Sequence, residues 1–319
     1  MVTETLFGLN GETVTRFIDG TLSEPMAYRQ FARPILPGAG PSQTKLQSFS
    51  MRTPMGPTTS ETDTDVADPQ LGYQIVLDSV ERGTTLPLTR TKIENAGADR
   101  DALVGGLLFE LGTLGPITLD YLFDLWLSEY CFNGTATGLG VSGGDGVPFF
   151  SNSHLRYAGD STGNDNLEAA KNFGATEFGD VLIRLNSQLD LKGNAIRASK
   201  DLAIVYGPAL MHRVAELLNS EGKPGEMSNT WNVANGYNIM PYMCPRYVSE
   251  NSMEYYWAVF DRRAMMAPNG SGLNMKLMRL PGIFPSRSNN GLIFYYTNSM
   301  RAGIGSGTKT FGVGCSGTA

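Results

Sequence analysis

The chain has two histidines, His154 and His212, so any imidazole-based acid–base or nucleophilic chemistry must use one of them. His154 closes the run Ser151-Asn152-Ser153-His154, where a serine nucleophile and a base are both present by residue type. Neighbours in sequence rarely hold the attack geometry, however, and no Gly-x-Ser-x-Gly elbow presents either serine. His212 lies beside Arg213, off the apolar stripe of a predicted helix. Structural roles are expected for both histidines, which leaves a Ser/His hydrolase as the remote reading. Asp120 and Asp124 stand four apart and could hold a metal or act as an acid pair, but no histidine lies at ligand spacing. A solvated helix face is the expectation for them. Cys131, Cys244 and Cys315 are odd in number and far apart, which suggests neither a disulfide framework nor a zinc knuckle.

Two glycine-rich stretches imitate phosphate-binding loops. Gly138-Leu-Gly140-Val-Ser-Gly143 carries the spacing of a dinucleotide fingerprint, yet a helix precedes it where a strand is required. It is expected to be a flexible loop. In Gly303-Ile-Gly-Ser-Gly307-Thr308-Lys309-Thr310 the threonine precedes the lysine, and too few residues follow for a helix whose N-terminus could meet a phosphate. Asn133-Gly-Thr135 and Asn269-Gly-Ser271 match glycan sequons but read as turns. No catalytic, cofactor or metal site is predicted, and the chain is not expected to be an enzyme.

At 319 residues the chain is long enough for a well-buried core, and 41% hydrophobic residues argue for a folded protein. Charged residues are only 18%, low for a monomer that must keep itself soluble but tolerable where copies cover one another. A net charge of −6 argues against a general nucleic-acid binder. No basic-then-apolar leader is seen at the N-terminus, and the apolar region from Ala102 to Leu127 is broken by Glu110, Pro116, Asp120 and Asp124. A cytoplasmic, soluble chain with no membrane partner is expected.

Residues 1–35 show no sustained period and read as a terminal arm. Phe49 and Met51, and then Tyr73, Ile75 and Leu77, alternate with mostly polar residues on either side of the acidic tip Glu61, Asp63, Asp65 and Asp68. That pattern describes a long hairpin. A lone hairpin is marginal in water, so it is expected to rest on a neighbouring subunit. Thr84–Thr89 reads as a strand. Asp99 can cap a helix to about Leu111, and Gly112–Gly115 is expected to interrupt it before Pro116 restarts it. Leu119, Leu122, Phe123, Trp126 and Tyr130 then repeat at helical spacing over Pro116–Phe132, with Asp120, Asp124 and Ser128 opposite. A second helix opens at Thr176 with Phe178, Val181, Leu182, Leu185 and Leu189 inward. Leu202–Tyr206 is a short apolar strand, and Gly207-Pro208 turns it into a third helix, Ala209–Asn219. Tyr255–Phe260 and Leu292–Tyr296 are later strands. The fold class is α+β.

Asp145-Gly-x-x-Phe-Phe-Ser-x-x-His154, followed by Leu202-Ala-Ile-Val-Tyr-Gly-Pro-Ala-Leu210 leading into a helix, resembles the major head subunit family of Mu-like tailed phages. The likeness is strongest over about 145–220, and the chain departs from the family pattern at Leu155 and Gly207. The resemblance implies the tailed-phage major capsid (Johnson) fold. Its parts would be an N-terminal arm at 1–35, an E-loop hairpin at 36–89 and a peripheral domain at 90–201 and 268–319 with a spine helix at 116–132. An axial domain would span 202–267. It implies a major capsid protein forming hexamers and pentamers of itself, with scaffold, portal and decoration proteins as further partners. The shell would enclose double-stranded DNA without reading its sequence, be assembled in the host cytoplasm and end in the virion. Phe49, Met51, Arg52, Tyr73, Ile75 and Leu77 are the expected self-assembly contacts. An encapsulin-type compartment shell is the alternative with the same fold.

Overall fold

A computed structural model describes residues 11–23, 26–35, 43–50, 69–95, 100–135, 137–224, 231–248, 252–267, 271–288 and 292–317. Its axis is one long helix, α3 (Arg100–Leu125), after α1 (Gly11–Ser23) and α2 (Arg90–Asn95). The helix widens to π geometry over Trp126–Asn133 and stops at Gly134, whose left-handed backbone returns N–H groups to the last turn. The break expected at Gly112–Gly115 does not occur. Pro116 removes the N–H that would have reached the Gly112 carbonyl, but the Thr21 hydroxyl of α1 donates to that carbonyl at 3.3 Å. Gly112 also lets the two helices meet backbone to backbone, since a Cβ there would collide with the Phe17 carbonyl. The break was predicted from local chemistry, and a residue 91 positions away repairs it.

The same contact corrects the reading of residues 1–35. Residues 11–23 and 26–35 lie on their own subunit, with Phe17, Tyr28 and Phe31 buried, and with a short strand β1 (Arg33–Ile35) paired to Asn274, Met275 and Lys276. By length and composition α3 and its π continuation could cross a bilayer. Here it is a core helix, with Leu119, Leu122, Phe123, Trp126 and Leu127 all buried.

The described residues form three sheets beside it. The first has the order β1-β10-β11-β4, built on β4 (Val80–Thr89), β10 (Leu273–Arg287) and β11 (Ile293–Ser306). The strands expected at Thr84–Thr89 and Leu292–Tyr296 are thus present and longer. The second has the order β6-β12-β9-β7-β8, from β6 (Leu167–Ala169), β7 (Asp201–Tyr206), β8 (Asn238–Met243), β9 (Trp257–Asp261) and β12 (Gly312–Ser316). The third joins β2 (Gln43–Ser50), β3 (Gln70–Asp78) and β5 (Val141–Gly143).

The five-stranded sheet is a wall between two cores, which explains why β7 reads as an unbroken apolar run. Leu202, Ile204 and Tyr206 face α4 (Ala175–Asn186) and α5 (Met211–Asn219) in one core, while Ala203 and Val205 face α3 in the other. Trp257 and Val259 alternate with Ala258 and Phe260 in the same way. Leu189 lies beyond the end of α4. This layer is wider than the expected 202–267 segment, because β12 pairs with β9 and β6 with β12.

The hairpin is also shorter than 36–89 and better supported than expected. It ends at Asp78, after which β4 joins the four-stranded sheet. Its base is held by its own subunit, with Ile75, Val76 and Leu77 opposite Gly143, Ser142 and Val141. The stretch expected to be a flexible loop is therefore partly a strand.

Candidate functional site

The serine–histidine stretch was the place where a nucleophile and a base stood together by residue type. Phe149 and Phe150 enter the core, where Phe149 packs on Trp126 and Phe311 with ring centroids 5.2 and 5.1 Å away. That anchors the middle of the segment and brings its two ends together. His154 Nδ1 lies 2.7 Å from Asp145 Oδ2, and Nε2 lies 2.9 Å from the Phe149 carbonyl. On the other side Lys309 Nζ donates to Asp145 Oδ1 at 2.5 Å and to the carbonyls of Val147 and Pro148 at 2.8 and 3.2 Å. The Asn166 side chain donates to the carbonyls of Phe149 and Lys309 and accepts from the Ser151 N–H.

Burial pushes the Asp145 carboxyl up, but the hydrogen bonds from His154 and Lys309 outweigh it and hold it at about 2. Burial also pulls the Lys309 ammonium below the ordinary lysine range. Both nitrogens of His154 are taken, and the Ser151 hydroxyl accepts from the Ser153 N–H. Among the described residues no hydroxyl is hydrogen-bonded to His154, so the pairing a hydrolase needs is not formed here. The arrangement is an ionic knot tying the turn before β12 to the 145–154 segment. Lys309 belongs to the rejected phosphate-loop imitation, and its partner Asp145 lies 164 residues away, a pairing that spacing alone does not reveal.

A second buried carboxyl overturns the solvated-face expectation. Asp120 accepts the N–H groups of Ala27 and Tyr28 at 3.2 and 3.0 Å, capping a short 3-10 turn, Ala27–Gln30. Asp124 accepts from the Tyr242 hydroxyl at 2.6 Å, Ser128 accepts from Arg246, and both are buried beneath β8 and the loop after it. Burial is the main reason the Asp124 carboxyl rises to about 6; the Tyr242 hydrogen bond opposes it and the nearby Asp120 charge adds to it. A carboxyl raised above its unfolded value opposes folding once ionised, so this one costs stability as pH rises from about 4 through 6. Asp124→Asn keeps an acceptor for Tyr242 and removes the charge. It is expected to stabilise the protein by about 1–2 kcal/mol at pH 7.5 and by nearly nothing at pH 3, below the ordinary carboxyl value. Urea melts at the two pH values check this, and equal or lower stability at both would refute it.

All three cysteines are buried, and burial raises each thiol above its ordinary range, so none is poised as a nucleophile. Among the described residues no cluster of three His, Cys, Asp or Glu could hold a metal ion.

Of the expected self-assembly residues, Ile75 and Leu77 are 2% and 0% exposed and hold the hairpin base to its own core. They have no surface to offer a neighbour, because both side chains sit inside the main hydrophobic cluster of their own subunit. Tyr73 is half-buried on the wall of a cleft of about 1000 Å³. Phe49 pairs with Leu71 in the hairpin ladder. Met51 and Arg52 lie outside the described residues, as does the Asp99 cap.

One long helix, a long hairpin and two flanking sheets define the class of fold. No protein-family model and no curated protein matches the chain. Solved structures do. The capsid of Myoviridae phage XM1 matches with a TM-score of 0.54 over 92% of this chain and 92% of that one, at 10% identity. The capsid of cyanophage P-SCSP1u gives 0.54 over 92% and 89%, at 9% identity, and that of a native GTA particle gives 0.52 over 92% and 90%, at 12%. The chain therefore has the tailed-phage capsid fold, an α+β architecture as expected.

Proposed function

We propose that the chain is a major capsid protein whose copies assemble into hexamers and pentamers and close an icosahedral head shell around phage double-stranded DNA. The observation that carries this reading is the agreement with capsid subunits over nearly the whole of both chains. The subfamily we favour is the Mu-like head subunit, on the motif from Asp145 to His154. In this reading α3 and the four-stranded sheet form the peripheral domain, and the five-stranded sheet with α4 and α5 forms the axial domain. Scaffold, portal and decoration proteins would be its partners in the host cytoplasm, before the shell becomes part of the virion.

Surface chemistry supports assembly. Ile18 and Leu22, one turn apart on α1, are 49% and 70% exposed, and Trp231 is 68% exposed. A lone subunit would leave these in water. Phe49, Met51, Arg52 and Tyr73 stay as proposed hairpin contacts. The test is electron microscopy with analytical ultracentrifugation of the purified full chain, with and without a co-expressed scaffold. Closed shells, tubes or capsomer rings are expected. A monomer under every condition would overturn the reading.

A further inference from the structure

Asp124 stands at the seam between α3 and β8, and the groups around it clasp the two together. Its carboxyl accepts from the Tyr242 hydroxyl at 2.6 Å, and the Cys244 thiol lies 3.8 Å from the same oxygen. Further along, Arg246 donates to the Ser128 hydroxyl at 3.0 Å and to Glu129 at 3.1 Å, with its guanidinium 5.3 Å from the Tyr121 ring. The Tyr247 hydroxyl donates to the Leu127 carbonyl at 3.2 Å. Phe31 and Phe123 pack on the Tyr242 ring, with centroids 5.2 and 5.4 Å away. The two sides of this clasp are unequally held. On the helix, Phe123, Trp126 and Leu127 are wholly buried in the main core. Opposite them, β8 ends its sheet, pairs only with β7 and is exposed or half-exposed along its length. An opening therefore lifts β8 and the loop after it, and leaves the helix in place.

The groups facing Asp124 do not balance its charge. Its own helix brings Asp120, one turn back, and Glu129, both of the same sign. From β8 and its loop come Tyr242, Cys244 and Tyr247, which burial keeps uncharged, and Arg246, which is engaged with Ser128 and Glu129. The segment before β1 offers the apolar Phe31, while the N–H groups of Ala27 and Tyr28 serve Asp120. Among the described residues no lysine or arginine forms an ion pair with Asp124. An ionised carboxylate here is short of partners, and water reaches it fully only when the clasp lifts.

We propose that the clasp is a pH-governed joint between α3 and the five-stranded sheet, closed while Asp124 carries a proton and released on its β8 side when that proton leaves. The closed site holds the carboxyl at about 6, chiefly through burial, and opening returns it to its ordinary value. Opening is therefore favoured progressively from about pH 4 to 6 and levels off above that. The joint lies within one subunit, so it goes beyond the shell reading and stands or falls separately from it.

The chain carries its own reporter. Cys244 is buried inside the clasp, and Cys315, buried in the core on the other side of the sheet, is the control. The full chain is labelled with N-ethylmaleimide between pH 5 and 7.5, and peptide mass spectrometry follows each thiol. Each rate is divided by that of a short peptide carrying the same cysteine, which removes the titration of the thiol itself. At pH 7.5 Cys244 should react well ahead of Cys315, and its normalised rate should fall roughly tenfold by pH 5. Asp124→Asn should abolish that fall. Tyr242→Phe removes a hydrogen bond that favours the ionised form, so the rate should reach its upper level only at higher pH. If Cys244 reacts no faster than Cys315 at any pH, the clasp opens only with the whole subunit and the proposal is overturned. A Cys244 rate that does not fall with pH, a fall that survives Asp124→Asn, or one that Tyr242→Phe leaves in place would each overturn it as well.

Discussion

Replacing Gly140 with alanine is expected to cost more than about 4 kcal/mol and to remove most soluble protein. Gly140 has φ +74°, and a Cβ there would lie inside the carbonyl oxygen of Asp78. That carbonyl sits at the corner between β3 and β4, and Gly303 on β11 approaches it from another side. The corner is closed by hydrogen bonds from Asp78 N–H to the Gly140 carbonyl at 2.6 Å and from Ile304 N–H to the Leu139 carbonyl at 3.1 Å. Three segments therefore meet backbone to backbone where the hairpin joins the four-stranded sheet. None can retreat without breaking a ladder. Gly146→Ala supplies the comparison, since Gly146 also has positive φ (+81°) but open space around its Cβ. It should cost only the left-handed strain, about 1–2 kcal/mol. Urea melts of the two variants decide the matter. If they differ by less than about 1 kcal/mol, the steric account of the corner is wrong.

Gly140 also shows what could be read from the residues alone. The Gly-x-Gly-x-x-Gly spacing was visible, and so was the helix standing before it where a cofactor site requires a strand. Its actual purpose, to admit the Asp78 carbonyl, depends on a contact with a distant strand corner that no local pattern encodes. The same division runs through the fold. The inward stripe of α4 and the short apolar run of β7 were legible because each signal lies within the element's own length; that β7 is buried on both faces came only from the structure. The continuity of α3 was not, because Thr21 of α1 accepts the task of satisfying the carbonyl that Pro116 leaves free. The burial of Asp124 and Ser128 was not legible either, since their helix face is covered by Tyr242 and Arg246, over a hundred residues on. The hairpin was seen, but its support by β5 was missed because three residue pairs across a glycine-rich segment leave almost no apolar signal. Within the candidate site, His154 was expected to be structural, and both its ring nitrogens are in hydrogen bonds, to Asp145 and to the Phe149 carbonyl. Lys309 was set aside with the phosphate-loop imitation.

Lys309→Met is expected to cost about 3–5 kcal/mol, because it removes one partner of a buried ion pair and strands the other. Methionine fills much of the space of the lysine stem, so the loss reports the charge and its hydrogen bonds more than a cavity. Asp145 would keep His154 and a long hydrogen bond from the Val147 N–H at 3.4 Å, and the carbonyls of Val147 and Pro148 would lose their common donor. In a thermal melt that loss corresponds to a fall of roughly 4–8 °C for a chain of this size. The double variant Asp145→Asn/Lys309→Met should lose less than the sum of the single losses, by about 1–3 kcal/mol, since neither charge is then left alone. A pH series gives a second reading of the same pair. The Asp145 carboxyl sits at about 2 in the folded chain, below its ordinary value. Its contribution is therefore full above pH 4 and lost as pH falls from about 4 towards 2. That contribution is about 2–3 kcal/mol, and Asp145→Asn should flatten that part of the acid limb. If Lys309→Met melts with the wild type, or if its acid limb is unchanged, the knot is not what fastens the turn before β12 to the Asp145–His154 segment.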